Sequence, residues 1–144
     1  TQATGASTNN TSTWALLAEI YLRRNKIDEG LAAIEEAQKL AVPGGELFWR
    51  AELLRLKGEL LLGQSDPSVQ EAEACLCEAL KIAQDQHATM HELRAATSPA
   101  KLWKKLNKID DAKRILNAVY SRFNESADSL DLIEAKTVLD QLNR

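Results

Sequence analysis

Apolar residues recur at three- and four-residue spacing along most of this chain, and short polar, glycine- or proline-containing segments separate the apolar stretches. The pattern predicts seven helices and no strand. Six of the helices form three hairpins, at about 14–42, 46–86 and 90–123, and the seventh is a capping helix at about 130–142. Residues 1–13 carry no apolar periodicity, so we expect a flexible arm there.

Turn residues set the predicted bounds of these helices. The middle hairpin is predicted to pair a helix from Leu47 to Leu62 with a second one from Glu71 to Ala83. Asp66 can cap the second helix with Pro67 at its first position, where the N–H that proline lacks would have no partner in the helix. Ser129 is the predicted N-cap of the capping helix.

Pro99 interrupts the predicted fifth helix, because proline cannot donate to the carbonyl four residues earlier and its ring crowds that carbonyl. Two outcomes are open. The helix kinks near Ser98, or it breaks and restarts with Ser98 as the cap and Pro99 at the first position.

The hairpins also repeat one another. Gly30, Ala72 and Ala112 occupy matching positions in the second helix of each hairpin, 42 and 40 residues apart (72−30 and 112−72). Each is followed four residues later by a large aliphatic residue and three beyond that by a smaller one: Ile34 and Ala37, Leu76 and Ala79, Leu116 and Val119. Such large and small residues at fixed offsets let neighbouring hairpins interlock, so the pattern predicts a helical repeat.

On these residues the chain resembles the tetratricopeptide repeat, with a period longer than the usual length of about 34 residues. The matching residues are Trp14, Leu17, Ala18, Tyr21, Gly30, Ile34 and Ala37 in the first hairpin, Gly58, Leu61, Ala72, Leu76 and Ala79 in the second, and Ala100, Trp103, Ala112 and Leu116 in the third. The resemblance implies an all-α fold, a right-handed solenoid of three helical hairpins closed by the capping helix.

A second resemblance covers most of the chain. The segments 3–6, 51–62, 71–75, 92–98 and 134–136 look like the C-terminal repeat region of bacterial multidomain proteins that join a nucleotide-cyclase or DNA-binding domain to a P-loop ATPase. The resemblance implies a regulatory or scaffolding region whose catalytic domains lie outside this chain. Pro99 departs from it, because these relatives carry leucine at that position.

The tetratricopeptide resemblance also implies where a partner binds, since the first helices of the hairpins line a concave groove. It assigns to this groove Leu16, Glu19, Leu22, Arg23, Glu52, Arg55, Leu56, Glu59, Leu62, Arg94, Thr97, Lys101 and Lys105. Glu19 and Glu59 would repel a peptide carboxylate, so we expect a protein segment with apolar anchors and basic residues instead. Leu56 and Leu62 are expected to be partly exposed, as binding residues are.

Charge restricts the partners further. The net charge of −3 and the isoelectric point near 5.5 give no general attraction to nucleic acid or to an anionic membrane, so neither is expected as a partner. Lys101, Lys104, Lys105 and Lys108 nevertheless share one helix face. That face is either a docking patch for an acidic peptide or phosphate, or a solvated surface. Two cysteines in a helical pattern indicate a reducing, cytoplasmic location.

Possible chemistry is weak throughout, and we predict no catalytic residue, cofactor or metal. Ser98 and Lys101 match a Ser-x-x-Lys nucleophile motif, but the companion motifs of those enzymes are missing. His87 and His91 have the spacing of two zinc ligands on one helix face without a certain third ligand. No phosphate-binding loop follows Gly63.

Two functional hypotheses remain. The first is a protein interaction or scaffolding module that binds a peptide or helix, including one from another domain of its parent protein. The second is a structural oligomerisation unit, in which repeat ends or the terminal helix form a symmetric dimer.

Overall fold

A computed structural model describes residues 11–40, 47–86, 89–123 and 129–144. Within these residues the chain forms seven helices and no strand, which confirms the all-helical prediction. The helices are α1 (Thr11–Arg23), α2 (Ile27–Leu40), α3 (Leu47–Leu62), α4 (Val69–Gln86), α5 (Thr89–Lys105), α6 (Ile109–Tyr120) and α7 (Leu130–Leu142).

Several boundaries differ from the predicted ones where polar residues form a first turn. The helix α1 begins at Thr11, so Thr11–Thr13 are helical instead of belonging to the predicted arm, while residues 1–10 lie outside the described part of the chain. Apolar periodicity cannot detect such a turn, because Ser and Thr there satisfy backbone N–H groups and contribute nothing to the core. The helix α4 begins at Val69, so the predicted cap at Asp66 and Pro67 is wrong. The carbonyl of Ser68 accepts the first helical bond, from the N–H of Ala72.

The chain divides into two compact units, the first ending at Ile82 and the second beginning at Ala83 within α4. In the first unit α1, α2 and α3 pack against one another around one buried apolar cluster. Its buried members are Ala15, Ala18, Ala33, Ile34, Ala37, Leu53, Leu56 and Leu60. Small residues on α1 and α2 make room for the leucines of α3. A Cβ atom on Gly30, for example, would lie 2.5 Å from Cδ2 of Leu60.

The helix α4 packs against α3 through a similarly close approach. A Cβ atom on Gly58 would lie 2.7 Å from the side chain of Leu76 and 3.1 Å from the carbonyl oxygen of Ala72. Leu61, Ala72 and Cys75 form a buried cluster around this approach. Glycine is therefore required at position 58 by packing, since any side chain there would meet the backbone of α4.

In the second unit α5, α6 and α7 pack against one another as α1, α2 and α3 do in the first. The helix α7 buries Leu132, Ala135, Val138, Leu139 and Leu142. The Oγ atom of Ser129 accepts a hydrogen bond from the N–H of Leu132 at 3.1 Å, which confirms the predicted N-cap.

Pro99 lies inside α5, which runs without a break from Thr89 to Lys105. The predicted alternative in which the helix restarts at Ser98 and Pro99 is therefore wrong. Both residues are buried, and the packing around α5 keeps the helix continuous despite the missing N–H.

Candidate interaction surface

Arg55 forms the centre of a cluster of carboxylates on α3. Its Nε and Nη2 atoms donate to the two carboxylate oxygens of Glu52, at 3.2 and 2.7 Å, and its Nη1 donates to Glu59 at 2.7 Å. The two glutamates lie one turn on either side of the arginine, so the helix itself brings the three side chains together. Arg55 and Glu52 are buried, whereas part of Glu59 faces solvent.

The helix α1 adds a third carboxylate to this cluster. Burial alone would lower the pKa of the Arg55 guanidinium, but the negative charges of Glu52, Glu59 and Glu19, together with the hydrogen bonds from Glu52, outweigh burial and raise that pKa. Glu19 also accepts a hydrogen bond from the exposed Arg23 at 2.9 Å. Because three carboxylates face two guanidinium groups, the cluster has a local excess of negative charge.

An apolar residue follows each of the two outer carboxylates by three positions. Leu22 lies one turn after Glu19 on α1, and Leu62 lies one turn after Glu59 on α3. All four side chains are partly exposed. We call these four residues, Glu19, Leu22, Glu59 and Leu62, the Glu/Leu surface.

Four other predicted groove residues lie in the same unit. Leu16 and Arg23 of α1 are exposed. Leu56 is only 1% exposed, so the prediction that it is partly open is wrong, whereas Leu62 is partly exposed as predicted. The reason is that Leu56 lies on the side of α3 that packs against α1 and α2. Glu52 is also too deeply buried to meet a partner and acts by holding Arg55 in place.

In the second unit, α7 covers much of the predicted site. Arg94 donates two hydrogen bonds to Asp131, at 3.3 and 3.0 Å. Nζ of Lys101 lies 3.8 Å from Glu134, and Nζ of Lys104 donates to Gln141 at 2.6 Å. These contacts make up a polar ladder between α5 and α7.

The ladder gives the basic face of α5 a structural role that the charge pattern alone did not reveal. Arg94, Lys101 and Lys104 hold the capping helix, while Lys105 and Lys108 remain exposed. Thr97, which was assigned to the groove, is 2% exposed and donates through Oγ1 to the carbonyl of Leu93. The acidic residues of α7 were the missed signal, since Asp131 and Glu134 repeat at the spacing of one helix face.

The residues considered for chemistry are dispersed. Cys75 is buried and Cys77 is exposed, so the two thiols face different sides of α4. Ser98 is buried in α5, and His87 lies outside the described residues. Within the described ranges, no three His, Cys, Asp or Glu side chains are grouped in a way that could hold a metal ion.

Comparison with known proteins gives no match. No family model matches the chain, and neither does any curated protein or solved structure. None of the helices in the described part of the chain combines the length and apolar character that a membrane-spanning helix requires.

Proposed function

We propose that this chain is a helical-repeat interaction module that binds a protein segment carrying apolar and basic side chains on the Glu/Leu surface. In this proposal three tetratricopeptide-like hairpins form a right-handed solenoid, α7 closes its end, and the chain has no catalytic site of its own. The observation that carries the proposal is the convergence of Glu19 and Glu59, from two neighbouring helices, on the buried guanidinium of Arg55.

The cluster supports binding because it fixes charged groups before a partner arrives. Arg55 is bonded to Glu52 on one side and to Glu59 on the other, so the Glu59 carboxylate is held in one place. A preorganised carboxylate loses little conformational entropy when it accepts a bond from a ligand. The negative excess around Arg55 then selects lysine or arginine over acidic residues.

The two leucines supply the apolar part of the surface. Leu22 and Leu62 each lie one turn beyond a glutamate, so acidic and apolar groups are paired on both helices. A partner helix with basic and apolar residues in alternating turns matches this arrangement. The resemblance to the repeat region of signalling ATPases suggests one source of such a segment, another domain of the parent protein.

The test uses a synthetic probe, because the natural partner is not identified. The probe is a fluorescein-labelled helical peptide of about 16 residues with leucine on one stripe and lysine beside it, and its binding is followed by fluorescence anisotropy. We expect the intact chain to bind this peptide and not a version with glutamate in place of lysine.

Matched charge reversals locate the site. Glu59→Lys and Glu19→Lys are each expected to weaken binding by roughly tenfold, because each reverses a charge that faces the probe. Glu36→Lys makes the same charge change on α2, where Glu36 contacts Lys39, and is expected to leave binding unchanged. Equal losses in all three variants would show a nonspecific charge effect and contradict the proposal.

A further inference from the structure

Two helices of the described chain carry pairs of exposed aliphatic residues. On α1, Leu16 and Ile20 are 60% and 49% exposed, and on α7, Leu130 and Ile133 are 81% and 54% exposed. In each pair the residues are three or four positions apart, so each pair forms one continuous apolar stripe on its helix. An exposed stripe of large aliphatic side chains marks a surface that packs against something.

The stripe on α1 has buried counterparts elsewhere in the chain. In the register that matches Ala18 with Gly58 and Ala100, the counterparts of Leu16 and Ile20 are Leu56 and Leu60 on α3 and Ser98 and Leu102 on α5. All four counterparts are buried. Leu56 and Leu60 are covered by α1 and α2, so this face of the repeat is one that packs against helices.

The stripe on α7 also has a counterpart covered by a helix. The helix α7 packs on α5 and α6 as α3 packs on α1 and α2. Matching the buried residues of the two helices places Leu130 and Ile133 at the positions of Ala51 and Leu54 on α3. Leu54 packs against the cluster that contains Ala72 and Cys75 of α4.

The charges beside the two stripes are opposite in sign. Arg23 and Arg24 follow Ile20 by three and four residues, and both are exposed. On α7, Glu134 and Asp140 lie on the side of the stripe and are also exposed, four residues after Leu130 and seven after Ile133. On both helices the charges therefore lie toward the C-terminal end of the stripe.

From these observations we infer that copies of this chain associate head to tail, with the Leu16–Ile20 stripe of α1 packed on the Leu130–Ile133 stripe of α7 in a second copy. When the two helices run in the same direction, the apolar pairs meet and Arg24 comes alongside Asp140 of the other copy. Electrostatic complementarity of this kind fixes the register of an interface.

The contact joins different faces, so it is heterologous. Each copy keeps one unused stripe after pairing, and the assembly can grow beyond a dimer. This prediction differs from a symmetric dimer through the terminal helix, in which α7 would pair with α7. It does not depend on the Glu/Leu surface, which uses other side chains.

Two variants and their mixture test the inference. Leu16→Gln/Ile20→Gln removes the α1 stripe, and Leu130→Gln/Ile133→Gln removes the α7 stripe; exposed side chains change in both, so circular dichroism should show unchanged helix content. In sedimentation equilibrium we expect the average mass of the parent chain to rise with concentration and each variant alone to stay monomeric. The equimolar mixture should form a dimer, because one intact stripe of each kind remains.

Other outcomes overturn the inference. If either variant alone still dimerises, the contact pairs identical stripes. If the parent chain is monomeric at every concentration, or if the mixture gains no mass, the two stripes do not bind each other.

A charge exchange tests the register. Arg24→Glu and Asp140→Lys should each weaken association by about threefold, and the double variant should restore it. A double variant weaker than both single variants would contradict the register. Glu59→Lys should leave association unchanged while weakening peptide binding, so this self-association and the peptide-binding function can fail independently.

Discussion

Asn25 and Asn107 end α1 and α5 with the same left-handed backbone conformation, at φ values of 58° and 63°. In each turn the asparagine N–H bonds the carbonyl three residues earlier, and the following lysine N–H bonds the carbonyl five residues earlier. Each asparagine also begins the same sequence, Asn-Lys-Ile-Asp. The first and third hairpins therefore share one helix-terminating motif, bond for bond.

Replacing Asn25 tests the importance of this turn. Asn25→Ala should lower the free energy of unfolding by about 1 kcal/mol, because a left-handed backbone is strained for alanine. Asn25→Gly should preserve or slightly raise stability, since glycine adopts this conformation without strain. The measurement is urea denaturation, with Asn117→Ala on the exposed face of α6 as the control, where a small gain is expected. Equal stability of the two Asn25 variants would contradict the role of the turn.

Gly58 should be the least replaceable of the helix glycines. Gly58→Ala is expected to destabilise the chain by about 1–3 kcal/mol, because the new methyl group would meet the Ala72 carbonyl oxygen on α4 as well as Leu76. Gly30→Ala meets only the side chain of Leu60, which can rotate, so a smaller loss is expected. Thermal unfolding of both variants compares the two sites. A larger loss for Gly30→Ala would show that the backbone approach at Gly58 is not limiting.

Removing Arg55 should leave a buried negative charge. Arg55→Met is expected to cost about 3–5 kcal/mol at neutral pH, because Glu52 then lacks the partner of its two oxygens. The exposed pair of Arg23 with Glu19 supplies the control, since Arg23→Met should cost about 0–1 kcal/mol.

The loss in Arg55→Met should also depend on pH. An unpaired buried carboxylate has a raised pKa, so the folded variant binds a proton more readily than the unfolded one. Its stability relative to the parent should therefore be worst above the folded-state pKa of Glu52 and improve as the pH falls. Urea denaturation at about pH 7 and about pH 4.5 measures the difference. A loss that is constant with pH would mean that Glu52 is not the group left unpaired.

Pro99 should be a source of local instability in α5. Pro99→Ala should raise the free energy of unfolding by about 1–2 kcal/mol, because alanine restores the N–H that can bond the carbonyl of Ala95. Pro99→Leu should gain less, because Pro99 is fully buried and leucine adds volume to a packed site. Melting temperatures of the two variants test this. A parent chain as stable as Pro99→Ala would refute strain at this position.

The sequence by itself determined the helices, because their signals are local. The span of α3 and the Ser129 cap agree with prediction, and Asn25 and Asn107 stop their helices through backbone conformations that depend on a few neighbouring residues. Boundaries were lost only where polar residues begin a helix, as at Thr11.

Tertiary structure alone decided which polar groups meet. Periodicity places a residue on a helix face but does not say which helix covers that face. The burial of Leu56 follows from the position of α1 and α2, and the pairing of Arg94 with Asp131 follows from the docking of α7 on α5. Pro99 stays inside a continuous helix for the same reason. The packing energy of surrounding helices exceeds a local cost of about 3 kcal/mol, and that energy comes from residues distant in the sequence.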